Sequence, residues 1–142
     1  MDAVLIGAGD ESLQLIPDGD QAVPPDYLLA ELRSGHLDDL RAVKRIYGGY
    51  ATEFQGLAAF FANLAAGWRG WDGERSWESC EGDLRLDARH AYGHVQLRVT
   101  LRADGSGWGN SGWTATADLT LDPGEQVSVV AADLASLTTY ST

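Results

Sequence analysis

The amino-acid sequence predicts an α+β fold, and three observations predict it. Residues 83–102 alternate apolar and polar side chains on both sides of a short turn, the pattern of an antiparallel hairpin with one buried face. Residues 52–68 and 125–137 instead repeat their apolar side chains at three- and four-residue spacing, which is the period of a helix face. Short runs rich in Val, Ile and Leu, bounded by Gly, Pro and Asp, supply further strands on either side.

Composition limits what such a fold can be used for. With 142 residues and 44% hydrophobic side chains the chain is expected to form one domain, residues 1–142, around one core. The 21 acidic residues against 10 basic ones give a formal net charge of -11, which repels nucleic acid and anionic membranes alike. The same field would draw in a basic protein, although an acidic surface is more often simply a solubility device, and that plainer reading of the charge comes first. Cys80 is the single cysteine, so no internal disulfide and no multi-cysteine metal site is available. The opening MDAVLIGAGDES has acids where a signal peptide carries positive charge, and the apolar run 57–68 falls short of the ~20 residues of a membrane span. A cytoplasmic protein is the expectation.

Residues 3–7 and 12–16 read as two strands joined at Ala8-Gly9-Asp10. The string VLIGAG resembles the start of a dinucleotide-binding loop, but Ser12 stands where a third small residue should open a helix. No cofactor is expected. Residues 17–26 are an acidic, Pro-containing loop. In the next segment Leu28, Ala30 and Leu32 alternate like a strand, whereas Leu37, Leu40, Val43, Ile46 and Tyr47 have helical spacing, so period alone favours strand then helix. Gly35 marks a turn between the two, with His36 solvated in it.

The first clear helix opens at Thr52, which with Gln55 makes a capping box, and it presents Phe54, Leu57, Phe60, Phe61, Leu64 and Trp68 on one face before Gly67 and Gly70 stop it. From Trp77 the period changes to two. Cys80, Leu84, Leu86 and Ala88 are expected on the core face, and Val95, Leu97, Val99 and Leu101 on the return strand. This parity places His90 and His94 on opposite faces, which argues against a two-histidine metal site. Residues 103–112 form a Gly/Ser-rich loop carrying Trp108, and residues 113–121 alternate again. The last helix begins at Asp122-Pro123-Gly124-Glu125, with Asp122 as cap, Pro123 in the first turn and Glu125 completing a capping box.

Residues 68–81 hold more chemistry than a connection requires: Trp68, Trp71 and Trp77 among Asp72, Glu74, Glu78 and Glu81, with Arg69 and Arg75. In the plain reading Trp68 and Trp77 close the core while the charged side chains pair around them. A contact surface would use Trp71, Asp72 and Glu74, joined by Trp108. Aromatic plates beside carboxylates also suit a sugar, and Trp71, Glu74 and Glu78 are then the binding or acid-base groups. No nucleophile-base set is recognisable, and no catalytic residue is assigned.

The same stretch carries a family resemblance. WRGWDGERSWESCEGDLRLDARHAYGHVQLRVTLR, with FFANLAAGW before it and TATADLTLDPGEQ after it, resembles a small uncharacterised bacterial domain family. That family is more distantly similar to immunity proteins of the wall-associated toxin type, which neutralise a partner toxin. The resemblance spans residues 50–137 and rests on the pattern W-R-G-W-x-G-x-x-x-W-x-S-x-E-G. It implies one curved antiparallel sheet, of about six or seven strands on the runs counted above, with two helices packed on it. It also implies strands, and hence a β-hairpin, for residues 27–47. Cys80 stands where the family usually has an aliphatic residue, and the Gly-rich insertion around Trp108 is longer than the pattern leads one to expect. The function expected from charge and resemblance together is a non-enzymatic protein-interaction domain, immunity-like, meeting a basic toxin or effector. The alternative is a carbohydrate-like small-molecule binder or hydrolase working through residues 68–81.

Overall fold

A computed structural model describes residues 3–8, 10–18, 27–35, 40–48, 52–103 and 112–138. Strands β1 (Val4–Ala8), β2 (Glu11–Asp18), β3 (Tyr27–Ser34) and β4 (Leu40–Tyr47) form an antiparallel sheet in chain order. Helix α1 (Thr52–Ala66) follows. Strands β5 (Glu74–Glu78), β6 (Leu84–Ala91), β7 (His94–Ala103) and β8 (Trp113–Leu121) then form a second antiparallel sheet in chain order, and helix α2 (Glu125–Thr138) comes after it. Four-strand meander plus helix thus occurs twice, although no repeat is visible in the sequence.

The α+β class stands, but the expected single sheet of about six or seven strands is corrected to eight strands in two sheets. Two physical causes account for the difference. Helix α1 and the connection after it separate β4 from β5, so each meander pairs only with itself. The segment from Trp77 to Arg89, read as one strand, is divided by a tight turn into the end of β5 and most of β6. In that turn the Ser79 amide donates to the Leu84 carbonyl at 2.8 Å, and the Ser79 hydroxyl donates to Asp83 Oδ1 at 2.6 Å. Gly82 closes it with φ of +72°, a left-handed conformation that favours glycine.

The same turn corrects Cys80. It resets the parity, so Trp77 and Leu84 face inward, while Cys80 lies in the turn itself and is exposed. Its Sγ sits 3.5 Å from the Tyr47 carbonyl oxygen. Beyond the turn the parity reading holds: Leu84, Leu86, Ala88, Val95, Leu97, Val99 and Leu101 are all buried.

Residues 27–47 form the β3–β4 hairpin that the resemblance implied. Leu28, Ala30 and Leu32 lie opposite Ile46, Lys44 and Ala42 on the inner face, while Val43 points outward and is 37% exposed. The helical spacing of Leu40, Val43 and Ile46 therefore has no buried helix face behind it. His36, Leu37 and the Gly9 turn position lie outside the described residues.

Helix α1 buries Phe54, Leu57, Ala58, Phe61 and Leu64. Trp68 belongs to the connection beyond its end and is 51% exposed, so it does not extend the buried face as expected. Helix α2 buries Val127, Val130, Leu134 and Leu137. Its start confirms Asp122 as the cap, with the Glu125 amide donating to Asp122 Oδ2 at 3.1 Å. The reciprocal contact comes from Gln126, whose Oε1 accepts the Asp122 amide at 2.9 Å, not from Glu125.

Inner faces of both sheets and of both helices join in one buried apolar cluster. The helices pack on each other, α2 also meets β1 and α1 meets β5, while β8 approaches β1, β2 and β3 and β4 approaches β7. Fully burying a Leu or Phe side chain is worth roughly 1.5–3 kcal/mol, so this shared cluster is the main favourable term holding the two meanders together. One polar contact reinforces it: Lys44 on the inner face of β4 reaches Asp83 Oδ2, in the β5–β6 turn, at 3.1 Å. Among the described residues no helix is long and apolar enough to cross a membrane.

Candidate functional site

The 68–81 connection is built around the end of α1. Gly67 lacks the Cβ that would stand 2.9 Å from Arg75 Nη1 and 3.1 Å from the Trp71 ring, so both side chains lie close over the helix terminus. Arg75 Nη1 donates to the Asn63 carbonyl at 3.1 Å and to Asn63 Oδ1 at 2.8 Å. A cation there satisfies the end of the helix and complements its dipole. The guanidinium also covers the Trp71 ring at 4.4 Å, and His90 meets the ring edge-on at 5.3 Å. His90 Nε2 lies 3.0 Å from the Trp68 carbonyl oxygen, which ties the start of the connection to β6.

Trp71 is therefore half-buried and packed against the core. Its indole N–H is buried with no hydrogen-bond partner among the described residues, a desolvation cost that its packing must offset. Trp77 is also half-buried against the core, and its indole lies by Gly56, where an added Cβ would approach Nε1 to 3.4 Å. Of the two tryptophans expected to close the core, Trp77 does so and Trp68 does not.

The three predicted carboxylates separate from these rings. Asp72 is exposed in the turn before β5, and Glu74 and Glu78 point outward from β5 on either side of Ser76. Glu74 accepts from Arg89 Nε at 2.9 Å and Nη2 at 2.8 Å. Glu78 stands 3.7 Å from Arg85 Nη1. At ~3.3 Å per strand residue, the backbones of Glu74 and Glu78 are about 13 Å apart. Paired glycosidase carboxylates lie roughly 5–9.5 Å apart, so this spacing does not suit them. Trp108 lies outside the described residues.

The structure joins Glu74 to partners that the sequence did not single out. On the outer face of the second sheet Ser76, Asp87, Arg98 and Asp118 lie side by side across β5 to β8, and Glu74, Arg89, Gln96 and Thr120 form the adjacent row. Arg98 pairs with Asp118 at 2.8 Å, Ser76 donates to Asp87 at 2.6 Å, and Thr120 donates to Gln96 at 3.1 Å. Burial pushes the Asp87 carboxyl up, but hydrogen bonds from Arg85 and Ser76 outweigh it and hold the group below its ordinary value. A shallow basin of about 300 Å³ lies over these rows, with Glu74, Asp87, Arg89, Arg98 and Asp118 around it and Ala91 and Gln96 within. Trp71 and Glu78 do not line it. Alternating polarity in the sequence marked these residues as outward-facing, but only the register shows which of them are neighbours.

Every cation of the chain is engaged in this way. Arg33 and Arg41 both hold Glu31, Lys44 holds Asp83, Arg45 holds Asp18, and Arg85 holds Asp87. With Arg89 on Glu74, Arg98 on Asp118, Arg75 on Asn63, Arg102 on the Gly82 carbonyl and Arg69 over Trp68 at 5.0 Å, the ten basic residues are accounted for. The outer sheet faces thus carry nearly balanced charge. The exposed acids Asp72, Glu81, Glu125 and Asp133 lie instead in turns and on α2. Among the described residues no group of three His, Cys, Asp or Glu side chains is placed to hold a metal ion, and His90 and His94 fall on opposite faces of their hairpin, His90 beside Val95 on the inner side.

A family model matches residues 7–141, and it is that of a family of unknown function (DUF6228). No curated protein and no solved structure matches the chain.

Proposed function

The chain belongs to the DUF6228 family, and from that premise we propose that it is a non-enzymatic protein-interaction domain, immunity-like, that captures a basic toxin or effector. The engagement of all ten cations within the chain carries this reading. The net charge of -11 is then an excess of carboxylates over cations that already have partners within the chain, and such a field accelerates encounter with a positively charged partner. Asp72 and Glu74 are exposed on the chain that runs from the half-buried Trp71 into the β5 edge, and in this reading their charge steers while the aromatic side chain anchors.

Capture from a native lysate at low and high salt, with mass spectrometry of the retained protein, identifies the partner. A single basic protein held at low salt and shed at high salt is expected. Replacing Asp72 and Glu74 with Ala then slows its association on the order of three- to tenfold at low salt and flattens the salt dependence. An unchanged association rate would overturn the assignment of this edge.

The carbohydrate-like binder or hydrolase draws on fewer observations. Glu74 borders the outer basin without Trp71 or Glu78, and the displaced carboxyls Glu31 and Asp87 both lie below their ordinary values, the opposite of a general acid held protonated near neutrality.

A further inference from the structure

A groove of about 310 Å³ runs between β1 and the first turns of α2. Leu5 points outward from β1 and is 51% exposed, and Val129 faces the same groove from α2 and is 52% exposed. Gly7, which has no side chain, and Val130 complete the apolar part of the lining. Other exposed apolar side chains, such as Val43 and Tyr92, do not line this groove; here two large ones share a concavity. Isolated exposed apolar residues need no explanation, whereas two that share a concavity with polar groups offer the mixed lining of a binding groove.

The charge at its rim is of one sign. Asp122, Glu125 and Gln126 stand at the end of the groove, no Lys or Arg lines it, and α2 contains none. Asp122 caps the helix and offsets the partial positive charge of its end, so the carboxylates there present net negative charge to an incoming group. We propose that this groove docks a polypeptide segment of a partner that presents an apolar side chain beside a lysine or arginine. The apolar side chain seats between Leu5 and Val129, and the cation meets Glu125 and Asp122. This deepens the protein-interaction reading, on which it rests, by adding a second contact surface whose lining includes neither Asp72 nor Glu74.

The test uses the full ¹⁵N-labelled chain and two blocked synthetic probes, the pentapeptides Lys-Leu-Arg-Val-Lys and Glu-Leu-Asp-Val-Glu. The basic probe is expected to give saturable amide shifts at Leu5, Gly7, Gln126 and Val129, and the acidic probe none. Val129→Lys, at an exposed position that leaves the thermal midpoint unchanged, should raise the dissociation constant of the basic probe by about tenfold or more. Equal response to both probes, unsaturable shifts spread over the surface, or an unchanged affinity in Val129→Lys overturns the proposal. So does a concentration-dependent dimer of the native chain that Val129→Lys abolishes, because a second copy is then the occupant. Failure here is distinguishable from failure of the wider reading: the Asp72 and Glu74 double variant leaves probe binding intact, and Val129→Lys leaves the charge at the β5 edge intact.

Discussion

Asp83 joins three parts of the molecule through one carboxylate. Its side chain is only 9% exposed, accepts from the Ser79 hydroxyl, and pairs with Lys44 across the gap between the two sheets. Asp83→Ala leaves Lys44 on an inner face without its counter-charge and is expected to cost about 2–3 kcal/mol. Asp83→Asn retains an acceptor for Ser79 and should cost less; urea midpoints of the two variants check the order. Glu31 behaves differently. It points outward, yet its side chain is 11% exposed because Arg33 and Arg41 lie over it. Hydrogen bonds from Arg41 and then Arg33 hold its pKa below the ordinary 4.5. Its stabilising contribution is therefore present above that ordinary value and is lost as pH falls through the lower folded value. Between about pH 7 and about pH 3 the native protein should lose more stability than Glu31→Gln, and urea midpoints at the two pH values would expose the opposite ranking.

At the scale of elements, the start of α2 shows how far local chemistry reaches. The cap at Asp122 follows from residue type and position alone, since a short carboxylate reaches the third helical amide. Choosing Gln126 over Glu125 as the reciprocal acceptor depends on side-chain direction in the first turn, which spacing does not set. Asp122→Ala should cost about 1 kcal/mol, lowering the thermal midpoint by about 3–5 °C, and Gln126→Ala should cost less; calorimetry on both variants measures this. The hairpin β6–β7 was legible for the same local reason, because alternation fixes faces within one unbroken strand pair. Cys80 was misread because it lies within the turn that divides Trp77 from Leu84 and shifts the count by one. Trp68 was misread because helical spacing continues in the sequence beyond the residue where Gly67 and Gly70 end the helix.

For the whole molecule the decisive feature is that two meander-plus-helix units share one buried cluster. All five tryptophans lie at position 68 or later, so their fluorescence reports the second unit, whereas far-ultraviolet circular dichroism reports both. Coincident urea transitions by the two probes are expected; separated midpoints would mean that the units unfold independently. The charge distribution belongs to the same scale. Cations drawn into the sheet faces and turns leave an acidic remainder at the periphery, and this asymmetry sets the partner class proposed here.

The α+β class, both helices and, Trp68 apart, their buried faces, the parity of residues 84–101 and the opposite placement of His90 and His94 were all legible in the sequence. Each of these follows from periodicity or capping within a few residues of chain, where backbone geometry leaves few alternatives. Only the tertiary structure decided that β4 and β5 do not pair, that Trp71 is held by Arg75 and His90, that Glu74 belongs to a row with Arg89, and that Leu5 faces Val129. These are contacts between residues far apart in the chain. Strand register and the packing of separate elements select them, and neither is encoded in the local pattern of any one segment.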